Sequence, residues 1–176
     1  MPTYSRPKEL AEALAVLSGG GHTIVAGGTD FYPARVGKPI DENVLDVTAI
    51  SGLRRIEHCG DYIQIGATST WTDLLRANLP GWFRVMELAA REVGGVQIQN
   101  AGTIAGNVCN ASPAADGMPG LMALDASVLL ASVSGEREIP VADFVLGNRK
   151  TARKPDEMVL GLRVPVCKSD AKSTFL

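Results

Sequence analysis

The stretch QIQNAGTIAGNVCNASPAAD, residues 97–116, is unlike the rest of this 176-residue chain. It combines Gly102 and Gly106 with alanines and asparagines, and it contains no lysine, arginine or aromatic residue. Small residues allow a ligand to lie directly against the backbone, and glycine adopts the positive φ that a tight turn around an anion requires. The stretch therefore has the composition of a binding surface rather than of a hydrophobic core.

The polar side chains of this stretch are almost all neutral. Hydroxyl and amide groups come from Thr103, Asn107, Asn110 and Ser112. Asp116 is the single carboxylate, and it can accept a hydrogen bond from a ribose hydroxyl or a ring N–H. This inventory predicts one wall of a nucleotide site. A glycine- and asparagine-rich surface loop is the alternative, because short glycine motifs recur by chance.

A second glycine motif lies in IVAGGTDF, residues 24–31. A short β-branched strand leads into Gly27 and Gly28, and Thr29 and Asp30 follow as candidate helix N-caps. A strand, a glycine turn and a helix start together direct backbone N–H groups and the positive end of a helix at a phosphate. Neither G-x-G-x-x-G nor a Walker lysine is present, so the Rossmann and P-loop motifs are excluded.

Four motifs now stand in order: AGGTD at 26–30, QNAGTIAGN at 99–107, ASPAAD at 111–116 and LDA at 124–126. With this order and spacing the chain resembles the FAD-binding (medium) subunit of the molybdenum hydroxylases, which has a PCMH-type FAD-binding domain. The family includes xanthine dehydrogenase, carbon monoxide dehydrogenase and 4-hydroxybenzoyl-CoA reductase. The resemblance runs from Tyr4 to Val164 and Pro165, nearly the whole chain.

The resemblance implies that FAD binds between the two glycine motifs. One side of the cofactor is expected to contact Val25, Ala26, Gly27, Gly28, Thr29, Asp30 and Phe31. The other side is expected to contact Gly102, Thr103, Gly106, Asn107 and Asn110. Asp116 is expected to reach the flavin or ribitol, and Val159 to make an apolar contact. Ala105 departs from the family pattern, which usually has a second glycine there; its methyl is a problem only where the backbone needs positive φ or direct contact with phosphate.

The resemblance also implies a role in electron transfer. FAD would take electrons from 2Fe-2S clusters on a small iron-sulfur subunit, which a molybdopterin-binding large subunit supplies, and would pass them to NAD or another acceptor. No residue set in this chain resembles a nucleophile with a base, so we predict no catalytic side chain of its own. Two alternatives are a nucleotide-binding assembly module without redox activity and a self-contained flavin oxidoreductase.

Relatives continue beyond the position of Leu176, through a lysine that contacts the cofactor and into a C-terminal domain. We therefore expect residues 1–176 to form the FAD-binding domain without that C-terminal domain. If the chain is naturally short, FAD retention should be detectable but reduced. Within the domain, residues 1–52 are expected to form a small α/β subdomain and residues 53–176 a larger α+β subdomain.

The predicted fold class is α+β. Apolar spacing predicts a helix over 7–17 capped by Ser5, strands at 23–25 and 44–47, and a short helix toward Arg35. A β-α-β order of this kind indicates a small parallel unit. The glycine repeat at 19–21 is expected to end the first helix.

The remainder of the chain predicts a mainly antiparallel sheet with helices. Strands are expected at 54–58, 62–65, 127–132, 137–139 and 158–164. Helices are expected at 81–91, at 113–124, and from a cap at Ser69 or Thr70 to Asn78.

Composition excludes several functions. The formal net charge is −2, which provides no basic surface for nucleic acid or an anionic membrane, and no apolar run is long enough to span a bilayer. We expect a cytoplasmic protein. The three cysteines are scattered, and neither His22 nor His58 has an evident acid partner, so a metal site and a catalytic histidine are not predicted.

One charged segment, GNRKTARKP at 147–155, concentrates basic residues. Charge runs are usually solvated, so an exposed loop is the simpler interpretation. The alternative is a docking surface for a partner or for an anionic electron acceptor.

Overall fold

The structure, a computed structural model, describes residues 1–167 and 172–175. It has a three-stranded parallel sheet near the N-terminus and a five-stranded antiparallel sheet built from the rest of the chain. Helices connect and cover the strands of both sheets. The α+β fold class predicted from the sequence is therefore confirmed.

The small sheet comprises β1 (Tyr4–Ser5), β2 (His22–Val25) and β3 (Asn43–Asp46), in the order β1-β3-β2. Helix α1 (Leu10–Ser18) connects the first two strands. The predicted cap at Ser5 is wrong, because Ser5 pairs with Leu45 in the sheet and the helix begins only after Glu9. The two predicted strands agree with β2 and β3 to within one residue.

The glycine turn after β2 does not lead into an α-helix. The Tyr32 N–H donates to the Gly28 carbonyl over 3.0 Å and the Ala34 N–H to the Asp30 carbonyl over 3.3 Å, but Pro33 between them has no N–H to donate. Only a 3₁₀ turn, Pro33–Arg35, follows, with Tyr32 at its N-cap position. The prediction that Thr29 or Asp30 caps a helix is therefore wrong, and no helix dipole supports an anion at this turn.

The remaining strands are β4 (Ile56–His58), β5 (Tyr62–Gly66), β6 (Ser127–Ser132), β7 (Gly135–Pro140), β8 (Val145–Gly147), β9 (Lys150–Thr151) and β10 (Met158–Pro165). The large sheet has the order β4-β5-β10-β6-β7, and every neighbouring pair in it is antiparallel. All five of its strands were predicted, with differences of a few residues at their ends. The short β8–β9 hairpin, whose second strand lies in the basic segment, was not predicted.

The other helices are α2 (Trp71–Arg76), α3 (Arg84–Glu92), α4 (Val96–Ala101), α5 (Ile104–Asn110), α6 (Gly117–Ala123) and α7 (Val141–Phe144). The predicted cap at Thr70 is confirmed, since its hydroxyl accepts from the Asp73 N–H and Asp73 accepts from the Thr70 N–H. Helix α2 ends at Arg76, before the predicted Asn78. Residues 81–83 form a 3₁₀ turn, so the predicted helix at 81–91 begins at Arg84 instead.

The stretch 97–116 is mostly helical. Helices α4 and α5 meet at Gly102, whose extended backbone ends one helix and precedes the other. The Thr103 hydroxyl caps α5 by accepting from the Gly106 N–H over 3.0 Å. The helix predicted at 113–124 starts later, at Gly117. A surface loop, the alternative for this stretch, is therefore excluded.

The core is continuous between the two sheets. One cluster of buried side chains includes Leu17 and Leu45 of the N-terminal part together with Trp71, Phe83 and Phe144 of the larger part. In the sequence, the strands of the small sheet precede residue 52 and those of the large sheet follow it. The predicted subdomain boundary at this residue stays a prediction. Within the described residues, no helix has the length and apolar character needed to cross a membrane.

Candidate functional site

A cleft of about 570 Å³ lies between the glycine turn after β2 and the helices α4 and α5. Of the cofactor residues predicted from the sequence, those lining it are Val25, Ala26, Gly27, Gly28, Thr29, Asp30, Phe31, Gly102, Thr103, Gly106, Asn107, Asn110 and Val159. This volume falls in the range of about 300–1,000 Å³ that is typical of ligand sites. The fold thus brings both glycine motifs to one cavity.

The two glycine motifs touch each other through their backbones. A Cβ atom placed on Gly27 would lie 1.9 Å from the Ala101 carbonyl oxygen and 3.0 Å from the Cα of Gly102. No side chain fits in that space, because the neighbouring atoms belong to the backbone and cannot rotate away. Glycine at position 27 is therefore required for the turn to pack against the junction of α4 and α5.

Gly28 has a different requirement. Its φ is +68°, in the left-handed region that side chains other than glycine rarely adopt, and a Cβ atom there would lie 2.4 Å from the Tyr32 ring. The backbone therefore turns sharply at the entrance to the cleft. Such turns leave N–H groups free to bind an anion, although here without the support of a helix.

Helix α5 forms the opposite wall, and its first turn requires a small residue at position 106. A Cβ atom on Gly106 would lie 2.5 Å from the Thr103 Oγ1, the atom that caps the helix. Ala105 is buried within this helix and is not among the residues with positive φ. Its methyl group therefore fits, and the departure from the family pattern does not disturb the wall.

Asn107 has an unpartnered polar atom beside the cleft. Its Oδ1 is buried and accepts no hydrogen bond from any residue that the structure describes. Leaving a buried acceptor unsatisfied costs on the order of 1–3 kcal/mol. That oxygen is enclosed beside Gly117 and has no surface in the cleft. The glycine walls suit a ligand that needs close backbone approach. That property fits the dinucleotide FAD that the sequence resemblance implies.

The cleft also carries charged side chains, with Asp30 and three arginines among the residues that line it. Arg149 and Arg153 line it, and both belong to the basic segment, for which the sequence predicted either an exposed loop or a docking surface. Arg35 lines it too, but its charge is engaged, because Nε donates to Glu42 over 2.6 Å and the guanidinium lies 3.7 Å from the Phe31 ring centroid. The two arginines of the basic segment were missed as cleft residues, since a charge run alone does not show which cavity it faces.

Asp116 does not line the cleft. It is half-buried and holds the N-cap position of α6, where its side chain makes no capping bond. The neighbouring Gly117 packs on Trp71 and the Asn107 amide, so Asp116 lies just behind the α5 wall. Its predicted contact with the flavin or ribitol stays a prediction that the lining of the cleft does not support.

Two potentially reactive side chains also line the cleft. Burial raises the pKa of the Cys109 thiol to about 11, which the nearby Arg153 opposes only in part, so the thiol stays protonated at neutral pH. A protonated thiol is a poor nucleophile. His22 lies with Nδ1 2.9 Å from the Gly20 carbonyl oxygen, a contact that fixes its ring. In the described part of the chain, no three His, Cys, Asp or Glu side chains gather as a metal site would need.

Comparison with known proteins identifies the family of this chain. Residues 1–167 match the FAD binding domain in molybdopterin dehydrogenase. A glyceraldehyde dehydrogenase medium chain from Sulfolobus acidocaldarius is 34% identical over 169 residues, covering 93% of this chain and 59% of the relative. A nicotinate dehydrogenase FAD-subunit from Eubacterium barkeri is 35% identical over 174 residues, covering 89% of this chain and 55% of the relative.

A solved structure has a similar fold. Carbon monoxide dehydrogenase from Hydrogenophaga pseudoflava contains a chain that superposes with a TM-score of 0.88 at 29% identity, covering 96% of this chain and 60% of that one. This chain therefore spans between 55% and 60% of the length of these relatives. It belongs to the family of FAD-binding domains of molybdopterin dehydrogenases.

Proposed function

We propose that the chain binds FAD in the cleft and serves as the flavin-bearing electron-transfer subunit of a molybdenum-containing hydroxylase or dehydrogenase complex. Its electron donors are the 2Fe-2S clusters of an iron-sulfur subunit, which a molybdopterin-binding large subunit feeds, and its acceptor is NAD or another oxidant. The observation that carries the proposal is the packing of Gly27 against the Ala101 carbonyl. That contact joins two motifs, distant in sequence, into one cavity.

In this proposal the backbone of residues 26–30 holds the pyrophosphate. The turn at Gly28 presents N–H groups, and Thr103 and Gly106 keep the facing helix close enough to enclose the ligand. Val159 and Val25 are buried beside the cleft and provide apolar surface against which a flavin ring can pack. Each residue thus has a role in holding and orienting the cofactor.

Bound FAD supplies the redox chemistry, because a flavin exchanges electrons singly or in pairs. The protein's own contribution is binding, orientation and the exclusion of water. Cys109, with its raised pKa, is unsuited to compete as a redox partner. The medium-chain and FAD-subunit names of the relatives support a place within a larger assembly. The cytoplasmic location expected from the sequence stays a prediction.

The test is retention of flavin by the purified chain. The absorbance spectrum is recorded after incubation with FAD and desalting, for the wild type and for Gly27→Ala. The control is Gly81→Ala, which adds the same methyl group where no atom lies within 4 Å. We expect flavin bands in the wild type and in Gly81→Ala, and their loss in Gly27→Ala.

Two outcomes would contradict the proposal. A wild-type chain with native circular dichroism that retains no flavin would favour an assembly module without redox activity. Equal retention by Gly27→Ala would place the cofactor outside this cleft.

A further inference from the structure

The end of the cleft near the C-terminus of α5 differs from the end with the glycines. We call it the arginine end, and it comprises Cys109, Asn110, Arg149 and Arg153. It lies about 9 Å along the helix from Thr103, at 1.5 Å per residue. Both arginines come from the β8–β9 hairpin and the segment that follows it.

Arg153 has an unbalanced charge. Its guanidinium is half-buried and donates from Nη1 to the carbonyl oxygens of Lys154, over 3.0 Å, and Glu157, over 2.7 Å. Within the described ranges it forms no ion pair with a carboxylate. A guanidinium withdrawn from water without a counter-charge is unfavourable, and an anion bound in the cleft would offset that.

The position of Arg153 is fixed by the ion pair between the buried Glu157 and the partly exposed Arg137. Glu157 accepts from Nε and Nη2 of Arg137 over 2.6 and 2.8 Å, and from the Lys154 N–H over 2.7 Å. Arg137 also donates to the Ala152 carbonyl over 2.8 Å. The residues on both sides of Arg153 are therefore tied to the sheet, so the guanidinium is held in place before any ligand binds.

Arg149 is held by its backbone. Its φ is +56°, and its N–H donates over 2.9 Å to the carbonyl of Ala111, which also has positive φ. Its side chain donates to the Asn110 amide oxygen and lies 4.0 Å from the Asp30 carboxylate. Because that ion pair is long and both partners are more than half exposed, it neutralises Arg149 only weakly.

Stabilisation of the C-terminal end of α5 is the simplest alternative role for these cations. The side-chain bonds of Arg153, however, go to its own segment, at Lys154 and Glu157. Arg149 contacts α5 through the Asn110 side chain and through its own N–H. Helix capping therefore accounts for the contacts that Arg149 makes with α5, but for none of the side-chain hydrogen bonds of Arg153.

We propose that Arg149 and Arg153 form an anion subsite at the arginine end of the cleft, which takes a phosphate group of a bound nucleotide. The proposed function, on which this inference rests, places the single pyrophosphate of FAD at the glycine end. The phosphate at the arginine end therefore belongs to a dinucleotide acceptor that binds beside the cofactor. The oxygens of such a phosphate suit a pair of guanidinium groups.

The experiment measures binding by titration calorimetry with inorganic pyrophosphate, FAD, riboflavin, and NADH added to FAD-loaded chain. The variants are Arg153→Gln, Arg149→Gln, the charge-retaining Arg153→Lys, and the control Lys154→Gln, which removes the adjacent exposed charge. We expect Arg153→Gln to weaken pyrophosphate binding roughly tenfold or more. Arg153→Lys and Lys154→Gln should stay within a few fold of the wild type, and thermal unfolding checks that each variant is folded.

The choice of ligands separates a phosphate of the acceptor from that of the cofactor. A loss for NADH with unchanged affinity for FAD is the expected result. A loss for FAD without a loss for riboflavin would place the cofactor's pyrophosphate at the arginine end and overturn the assignment to the acceptor. Pyrophosphate binding that depends on Arg153 in a chain that never retains FAD would support the subsite while rejecting the proposed function. Unchanged affinity of folded Arg153→Gln for every phosphate ligand would overturn the subsite, even if the chain retains FAD.

Discussion

The two ends of the cleft are built by opposite means. At the glycine end the wall depends on missing side chains, since a single methyl group on Gly27 would overlap the Ala101 carbonyl. At the arginine end the wall depends on charged side chains, and Arg153 is held there by a hydrogen-bond network around the buried Glu157. The first region should therefore respond to volume and the second to charge. A ligand that spans both needs close backbone approach at one end and a counter-charge at the other.

The largest effect should come from adding volume at the glycine end. Gly27→Ala should lower the free energy of unfolding by about 3 kcal/mol, the upper part of the range for overpacking, because the clash involves two backbones. Gly81→Ala adds the same group in open space and should change it by less than about 0.5 kcal/mol. Denaturant unfolding of both variants measures the difference. Equal stabilities of the two variants would mean that the glycine turn and the α4–α5 junction can move apart with little loss of free energy.

Breaking the network of the arginine end should have the next largest effect. Glu157 is 4% exposed and binds Arg137 through both carboxylate oxygens. Glu157→Gln should destabilise the chain by about 2 kcal/mol, less than for a fully buried pair because Arg137 is partly exposed. Pyrophosphate affinity should fall as well, since Arg153 loses its support. A loss of stability with unchanged affinity would show that Arg153 does not depend on the network.

Lowering the pH should test the ion pair between Arg137 and Glu157. The Arg137 guanidinium is the main reason that the pKa of Glu157 lies below its ordinary value of 4.5. A carboxylate with a lowered folded pKa stabilises the fold above its unfolded pKa, and this contribution disappears as the pH falls through the folded pKa. The stability gap between wild type and Glu157→Gln should therefore be full at neutral pH and narrow below about pH 4.5. Denaturant unfolding at a series of pH values checks it, and a gap independent of pH would contradict the ion-pair explanation.

The smallest effect should come from the cap of α5. Thr103→Ala removes the acceptor for the Gly106 N–H and should cost about 1 kcal/mol. Thr103→Ser keeps the hydroxyl and should remain close to the wild type. Thermal unfolding of this matched pair separates the cap from the loss of the methyl group. Equal losses in both variants would assign the effect to packing.

The sequence predicted the sheets better than the site. The short apolar runs at 62–65, 127–132 and 158–164 identified β5, β6 and β10, because such runs between turn residues are visible locally. Helices α4 and α5 were missed, since glycine and asparagine have low helix propensity and the fold supplies the cap and the packing. That both glycine motifs line one cleft was expected only from the family resemblance.

The arginine end of the cleft was the main feature that the sequence did not predict. Arg149 and Arg153 stand in a segment whose hairpin strands have three and two residues, too short to show a period. What brings Arg153 into the cleft is the long-range pair between Arg137 and Glu157, and no local pattern encodes it. Asp116, whose contact with the flavin or ribitol was expected from the family resemblance, lies outside the lining of the cleft, and that contact stays a prediction.

The most direct test is a crystal structure of the chain with FAD bound. The prediction is density in the cleft, with the pyrophosphate beside the backbone of Gly27 and Gly28 on one side and Gly102 and Thr103 on the other. FAD bound at another surface, or a folded chain that crystallises without FAD at saturating concentration, would contradict the assignment of this cleft as the cofactor site.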